Sequence, residues 1–154
     1  MFRHMIVATA ALSLGILGPA GGTAGDLPQK AELLISEAKK VQLEAQDISK
    51  ELRVRQFDLN KVKEMMTSLT AHVEAVNKMV AELQPMEQSM TGQQQAKFNL
   101  IKTKAELLTI FATNKQGMLL GDQPEKSRSV LRAKAEGIAK RSEMLQKSAM
   151  ALRQ

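Results

Sequence analysis

The sequence contains no cysteine, tryptophan or tyrosine, and its four phenylalanines make only 3% of the 154 residues aromatic. The absence of cysteine excludes a disulfide framework, a thiolate metal site and a thiol nucleophile. With so few aromatic side chains, the core must be built from Leu, Val, Ala and Met, which suits thin helix-on-helix packing better than a thick globular interior. The ten methionines are interpreted as core filler rather than as a binding surface.

Long apolar runs are scarce, and the one at residues 5–17 stands close to the start of the chain. Arg3 precedes this run, Gly18 and Pro19 interrupt it, and small residues follow as far as Ala24. The pattern predicts a secretory signal peptide over residues 1–24. The alternative is a retained membrane anchor, but the run is shorter than the roughly 20 residues that a span requires. We therefore expect an extracytoplasmic protein, in a bacterial periplasm or secreted.

A seven-residue repeat dominates the sequence between residues 34 and 83. Because neither Gly nor Pro interrupts this stretch, the repeat predicts one long helix over about residues 27–84, whose apolar seam faces a partner helix. The 50 residues of the repeat would extend roughly 75 Å as a helix. All positions of the seam are apolar except Arg55, and they are Leu34, Ala38, Val41, Ala45, Ile48, Leu52, Arg55, Leu59, Val62, Met66, Leu69, Val73, Val76, Val80 and Leu83.

Two further helices are predicted, over about residues 93–120 and 123–153. Asp26, Thr91 and Asp122 each precede Gln or Glu by three residues, the spacing of a capping box at a helix start. The fold class is therefore all-α, and residues 25–154 form one domain. The preferred architecture is a long antiparallel helical hairpin, or coiled coil, whose return arm is broken into two helices. An elongated three-helix bundle is the alternative.

Arm lengths set the register of the predicted hairpin. A fold at residues 85–92 places helix 93–120 along residues 57–84 and the last helix along the first half of the long one. This register brings together the small residues of two seams, Ala38 and Ala45 on one arm and Ala135, Ser142 and Ala149 on the other. The hairpin predicts an elongated particle of about 75–85 Å.

Catalysis has few candidate residues. His72 is the one histidine beyond residue 24, and it flanks the seam, as expected of a solvated or half-buried surface side chain. Met86 and Met90 have a spacing that could hold a soft metal ion, but no histidine accompanies them. We predict a non-enzymatic protein with no catalytic residue, no cofactor, no bound metal and no small-molecule substrate.

Charge is distributed unevenly, with a balance of −2 over residues 26–92 and +7 over residues 93–154. Part of this difference attracts the two arms to one another, and the remainder leaves a basic outer face. The basic residues lack interleaved aromatic residues for base stacking, so nucleic acid is not an expected partner. The basic face could instead bind an anionic envelope surface.

These observations favour an exported helical interaction protein: an envelope adaptor, a secretion-system component or a chaperone-like clamp. The alternative is an amphipathic protein that binds membrane or lipopolysaccharide surfaces. Leu107, Ile110 and Phe111 widen the apolar face of the second helix, so they are candidate residues for binding a partner or for self-association. Arg55 is a candidate register residue, expected to pair with Asp122 or with the carbonyls near Leu119 and Leu120 at the break in the return arm. The alternative is a surface arginine whose stem packs on the seam while its guanidinium reaches water.

Overall fold

The computed structural model describes residues 26–113 and 124–154, and every regular element in these two ranges is helical. The prediction of an all-α fold is confirmed. The predicted signal peptide over 1–24 and the candidate residue Asp122 lie outside the described residues. The elements are α1 (Asp26–Glu51), α2 (Leu59–Leu83), a 3₁₀ turn (Gln84–Ser89), α3 (Gly92–Thr113), α4 (Pro124–Met150) and a last 3₁₀ turn (Ala151–Arg153).

The four helices form an antiparallel bundle in which each helix packs against two neighbours. α1 contacts α2 and α4, and α3 contacts the same two helices from the opposite side. Lys61, near the start of α2, binds Glu51 at the end of α1 (2.6 Å). Arg153, just beyond α4, binds Glu32 near the start of α1 (3.0 Å). This is an up-down-up-down four-helix bundle.

The prediction of one uninterrupted helix over residues 27–84 is wrong. α1 ends at Glu51, residues 52–58 form a turn, and α2 begins at Leu59 and runs back along α1. Asp58 caps α2, because its Oδ1 accepts hydrogen bonds from the backbone N–H groups of Asn60 (2.9 Å) and Lys61 (3.1 Å). The long arm of the predicted hairpin therefore bends back on itself at this turn. Each helix gains a second neighbour and buries more apolar surface.

The predicted elongated shape is wrong for the same reason. Helices of 22 to 27 residues are about 33–40 Å long, so the bundle has roughly half the length expected of the hairpin. The three-helix alternative is also wrong, since the described residues contain four helices.

The predicted pairing of the arms survives the folding. α3 lies along α2, where Asn77 donates to the Thr109 hydroxyl (2.5 Å). α4 lies along α1, where the buried Ser142 hydroxyl donates to the carbonyl of Ala38 (2.5 Å). A side-chain hydroxyl reaches a neighbouring backbone only where two helices lie close together. The small-residue seams of α1 and α4 therefore meet as predicted.

The start of α3 carries the predicted capping box. The Thr91 hydroxyl accepts from the backbone N–H of Gln94 (3.3 Å), and the Gln94 side chain accepts from the N–H of Thr91 (2.9 Å). α2 ends one residue before the predicted end at Gln84, and the 3₁₀ turn that follows contains Pro85. The connector therefore reverses the chain over the residues that the sequence indicated.

Candidate functional site

α3 is apolar on two opposite sides. Its inner side is a stripe of apolar residues at helical spacing that are all buried in the core, namely Phe98, Ile101, Ala105, Leu108 and Ala112. Its outer side nevertheless exposes large apolar residues, with Ile110 59% and Leu100 47% exposed. Only the inner side is covered by α2 and α4, so the outer side is left with apolar surface that the bundle does not use.

The exposed residues of α3 are spaced as a second seam. Ala96, Leu100, Thr103, Leu107 and Ile110 follow one another at intervals of four, three, four and three. Leu107 is half-buried and the other four are exposed. A repeat of this spacing places the side chains on one face of the helix, where a further helix can pack. We call these five residues the α3 outer seam.

The outer faces of the other three helices are more polar. The corresponding positions include Glu64, Ser68 and Glu82 on α2, and Lys140 and Lys147 on α4. On α1, Leu33 and Leu43 are exposed at the same ten-residue separation as Leu100 and Ile110, but the seam positions between them are Ser36 and Lys40. On α4, Val130, Met144 and Met150 are exposed, but Lys140 and Lys147 lie among them. Within the described residues, the outer face of α3 is therefore the least interrupted by charged residues.

Two lysines border the α3 outer seam. Lys97, Lys104 and Phe111 follow one another at intervals of seven residues. Because seven residues make about two helical turns, the three side chains share one edge of α3. That edge faces α4, because the ring of Phe111 lies beneath the guanidinium of Arg141, with 4.2 Å between Cζ and the ring centroid. The outer seam thus has a positively charged edge.

Phe111, the third candidate interaction residue, packs between α3 and α4. It is half-buried against the core and covered by Arg141, whose Nη1 also donates to the carbonyl of Gly137 (3.0 Å). A Cβ atom at Gly137 would come within 2.9 Å of Nη1 of Arg141. The structure therefore brings Leu107 and Ile110 into an exposed face, whereas Phe111 mainly joins α3 to α4.

Arg55 lies exposed in the 52–58 turn, and its predicted partner Asp122 is outside the described residues. Another arginine contacts the turn. Nε of Arg128 on α4 donates to the Leu52 carbonyl (2.5 Å), its Nη2 donates to the Val54 carbonyl, and its guanidinium lies 5.3 Å from the ring centroid of Phe57. Sequence reasoning missed Arg128, because nothing local distinguishes it from the other basic residues of α4.

A polar groove of about 330 Å³ runs between α1 and α4. At one end of it, Glu136 accepts from Ser49 (3.0 Å) and Arg53 (3.1 Å). Two hydrogen bonds lower the pKa of the Glu136 carboxyl, and the one from Arg53 has a larger effect than the one from Ser49. Because these side chains form hydrogen bonds with one another, they connect α1 to α4. The lining residues are Gln42, Gln46, Ser49, Lys50, Arg53, Glu136, Ala139, Lys140 and Glu143.

His72 on α2 bridges two carboxylates of α1. Its Nδ1 lies 2.5 Å from Oε1 of Glu37, and its Nε2 lies 3.8 Å from Oε2 of Glu44. Glu37 is only 7% exposed and also accepts from Lys40 (2.8 Å). Burial raises the pKa of the Glu37 carboxyl, but the hydrogen bonds from Lys40 and His72 together outweigh it, and the pKa falls below the ordinary value. His72 therefore joins α2 to α1.

We expect Glu37→Gln to destabilise the protein by about 1–3 kcal/mol at neutral pH, as for other losses of a buried charged hydrogen bond. A carboxyl whose pKa is lowered by folding stabilises the folded state above its unfolded pKa, and this stabilisation is lost as pH falls through the folded pKa. The difference between wild type and variant should therefore shrink below the ordinary carboxyl pKa of 4.5. Urea titrations at neutral and acidic pH measure it, with exposed Glu74→Gln as control. A difference independent of pH would contradict the role of this carboxylate.

In residues 26–113 and 124–154, no group of three or more His, Cys, Asp or Glu side chains is placed to hold a metal ion. Met86 and Met90, the pair with soft-metal spacing, are buried in the core. The structure gives them a packing role, which agrees with the interpretation of methionine as core filler.

Comparison with protein-family models, with curated proteins and with solved structures finds no match to this chain. None of the described helices is long and apolar enough to cross a membrane. The function is therefore inferred from the residues that this chain exposes on its surface.

Proposed function

We propose that the protein is an exported, non-enzymatic interaction protein that binds a helix of a partner protein along the α3 outer seam. The observation that carries the proposal is the exposure of Leu100 and Ile110 at seam spacing on a helix whose opposite side already forms the core. Contiguous exposed apolar surface on a folded domain marks an interaction site. Export rests on the signal-peptide pattern of residues 1–24.

The charges beside the seam suggest what the partner carries. Lys97 and Lys104 would flank an approaching helix, so a partner with Asp or Glu beside its own apolar seam is favoured. Two antiparallel copies of α3 would instead bring the lysine edge of one against the same edge of the other, and like charges repel. This disfavours antiparallel pairing of two α3 helices, and an amphipathic helix of another protein with acidic flanks fits best.

A variant that replaces two exposed apolar residues of the seam with charged residues tests the proposal. Leu100→Glu with Ile110→Glu should reduce partner binding at least tenfold, because it places two charges within the seam. Stability should change by less than about 0.5 kcal/mol per site, since both side chains are exposed. The matched control is Ser68→Glu with Ala71→Glu, which adds the same charge to the exposed face of α2.

Binding is measured by placing a photoreactive side chain at position 107, with position 68 as the control site, and crosslinking in envelope extracts. A crosslink to one protein from position 107 alone, mapped to an acidic-flanked helix and lost in the double variant, supports the proposal. Crosslinks between copies of this chain would indicate self-association. Flotation with vesicles of phosphatidylglycerol, sensitive to the same variant, would favour the lipid-surface alternative and contradict a protein partner.

A further inference from the structure

The turn between α1 and α2 contains no residue that forbids a helix. Residues 52–58 include neither Gly nor Pro, and no described non-glycine residue has a positive φ. The apolar spacing also continues through the turn, because Ile48, Leu52, Arg55 and Leu59 keep the intervals of four, three and four. The residue types of this segment therefore allow one continuous helix.

The bend is maintained by side chains. Arg128 binds the carbonyls of Leu52 and Val54, which a continuous helix would pair with its own N–H groups. Asp58 caps two N–H groups that a continuous helix would also pair internally. Both residues favour the bent form and lose these contacts if the segment becomes helical.

The register between α1 and α2 is centred on the turn. Glu37 contacts His72, and Glu51 contacts Lys61, which puts the midpoint of this antiparallel pair close to residues 55 and 56. If the turn became helical, two chains could lie antiparallel and cross at that midpoint. Every contact that α1 makes with α2 and α4 would then form again between chains, including the Glu51–Lys61 ion pair.

We propose that two copies of the chain exchange α1 by straightening residues 52–58 into helix. Each half of this dimer is the same four-helix bundle, with α1 supplied by the second copy. Exchange of an identical element is a low-cost route to a dimer, because the interfaces are already complementary. The continuous helix would be roughly 85 Å long.

Arg55 opposes the exchange. In the closed monomer it is exposed to solvent, whereas in the dimer it stands in the seam, near the crossing point, with the same residue of the other copy close by. Like charges at that position disfavour the pairing. The one polar residue of the seam thus favours the closed monomer.

The experiment uses the absence of cysteine from the chain. Ala38→Cys and Ser142→Cys place thiols where a hydroxyl of α4 already reaches the backbone of α1. Oxidation of the closed monomer gives a disulfide within one chain, and oxidation of an exchanged dimer gives disulfides between two chains. The chain carrying both cysteines is refolded at high concentration, separated by size with mass measured by light scattering, then oxidised and analysed by non-reducing electrophoresis.

We expect Arg55→Leu, and separately Arg128→Ala, to lower the dimer dissociation constant at least tenfold, with the added dimer covalently linked between chains. Gln56→Pro, which breaks a continuous helix at an exposed turn position, should abolish that dimer while leaving the monomer folded. A monomer in all variants would overturn the proposal. A dimer whose disulfides stay within single chains would also overturn it and would indicate association through another surface such as the α3 outer seam.

Discussion

Phe98→Ala should lower the free energy of unfolding by about 3–5 kcal/mol, the range for removing a large aromatic side chain from a closed core. The side chain is 0% exposed, and no Trp or Tyr elsewhere supplies comparable bulk. Such a loss is a large part of the roughly 5–15 kcal/mol that stabilises a domain. Urea unfolding followed by far-UV circular dichroism measures it.

The matched control is Leu100→Ala, two residues along the same helix. Leu100 lies on the outer seam and is 47% exposed, so its truncation should change stability by about 1 kcal/mol or less. Equal losses for the two variants would mean that α3 is not oriented as described. A small loss for Phe98→Ala alone would show that the core can collapse around the missing ring.

Ala38→Leu should also destabilise the protein, with an expected loss of about 1–3 kcal/mol from overpacking. Ala38 is fully buried, and its carbonyl accepts from Ser142 of α4 at 2.5 Å. A leucine has no space unless α1 and α4 move apart, and that movement would break this hydrogen bond. The measurement is again urea unfolding.

Ser36→Leu is the control for Ala38→Leu. It places the same leucine at an exposed position on the same helix and should be close to neutral. If the two leucine variants were equally stable, the close approach of α1 and α4 would be contradicted. A stabilising Ala38→Leu would show instead that the seam contains unfilled space.

The sequence predicted which residues face inward, because apolar periodicity depends on the helix repeat alone. Leu34, Val41, Leu69 and Val76 are buried as the repeat required. The repeat could not distinguish a straight helix from two antiparallel ones, since both bury the same stripe. At the bend, Leu52 is bound by Arg128, which lies 76 positions further along the chain, and no local pattern reveals such a contact.

The positions of the candidate interaction residues on α3 could be predicted from the sequence only in part. Leu107 and Ile110 stood out as apolar residues beyond the inner stripe, and both lie on the outer side of α3. Phe111 belonged to the same pattern, yet its position beside Arg141 could be known only once α4 was placed against α3. Sequence periodicity identifies an extra apolar face, and tertiary packing decides which of its residues remain accessible.

The most direct test of the folded-back bundle is a distance between spin labels on α1 and α2. Cysteines at the exposed positions Lys39 and Glu74 carry the labels, and no native cysteine competes. In the bundle these positions lie on adjacent antiparallel helices, so the account predicts a single distance below about 25 Å in the species with monomer mass. A distance of roughly 50 Å, the span of 35 residues along one straight helix, would contradict it.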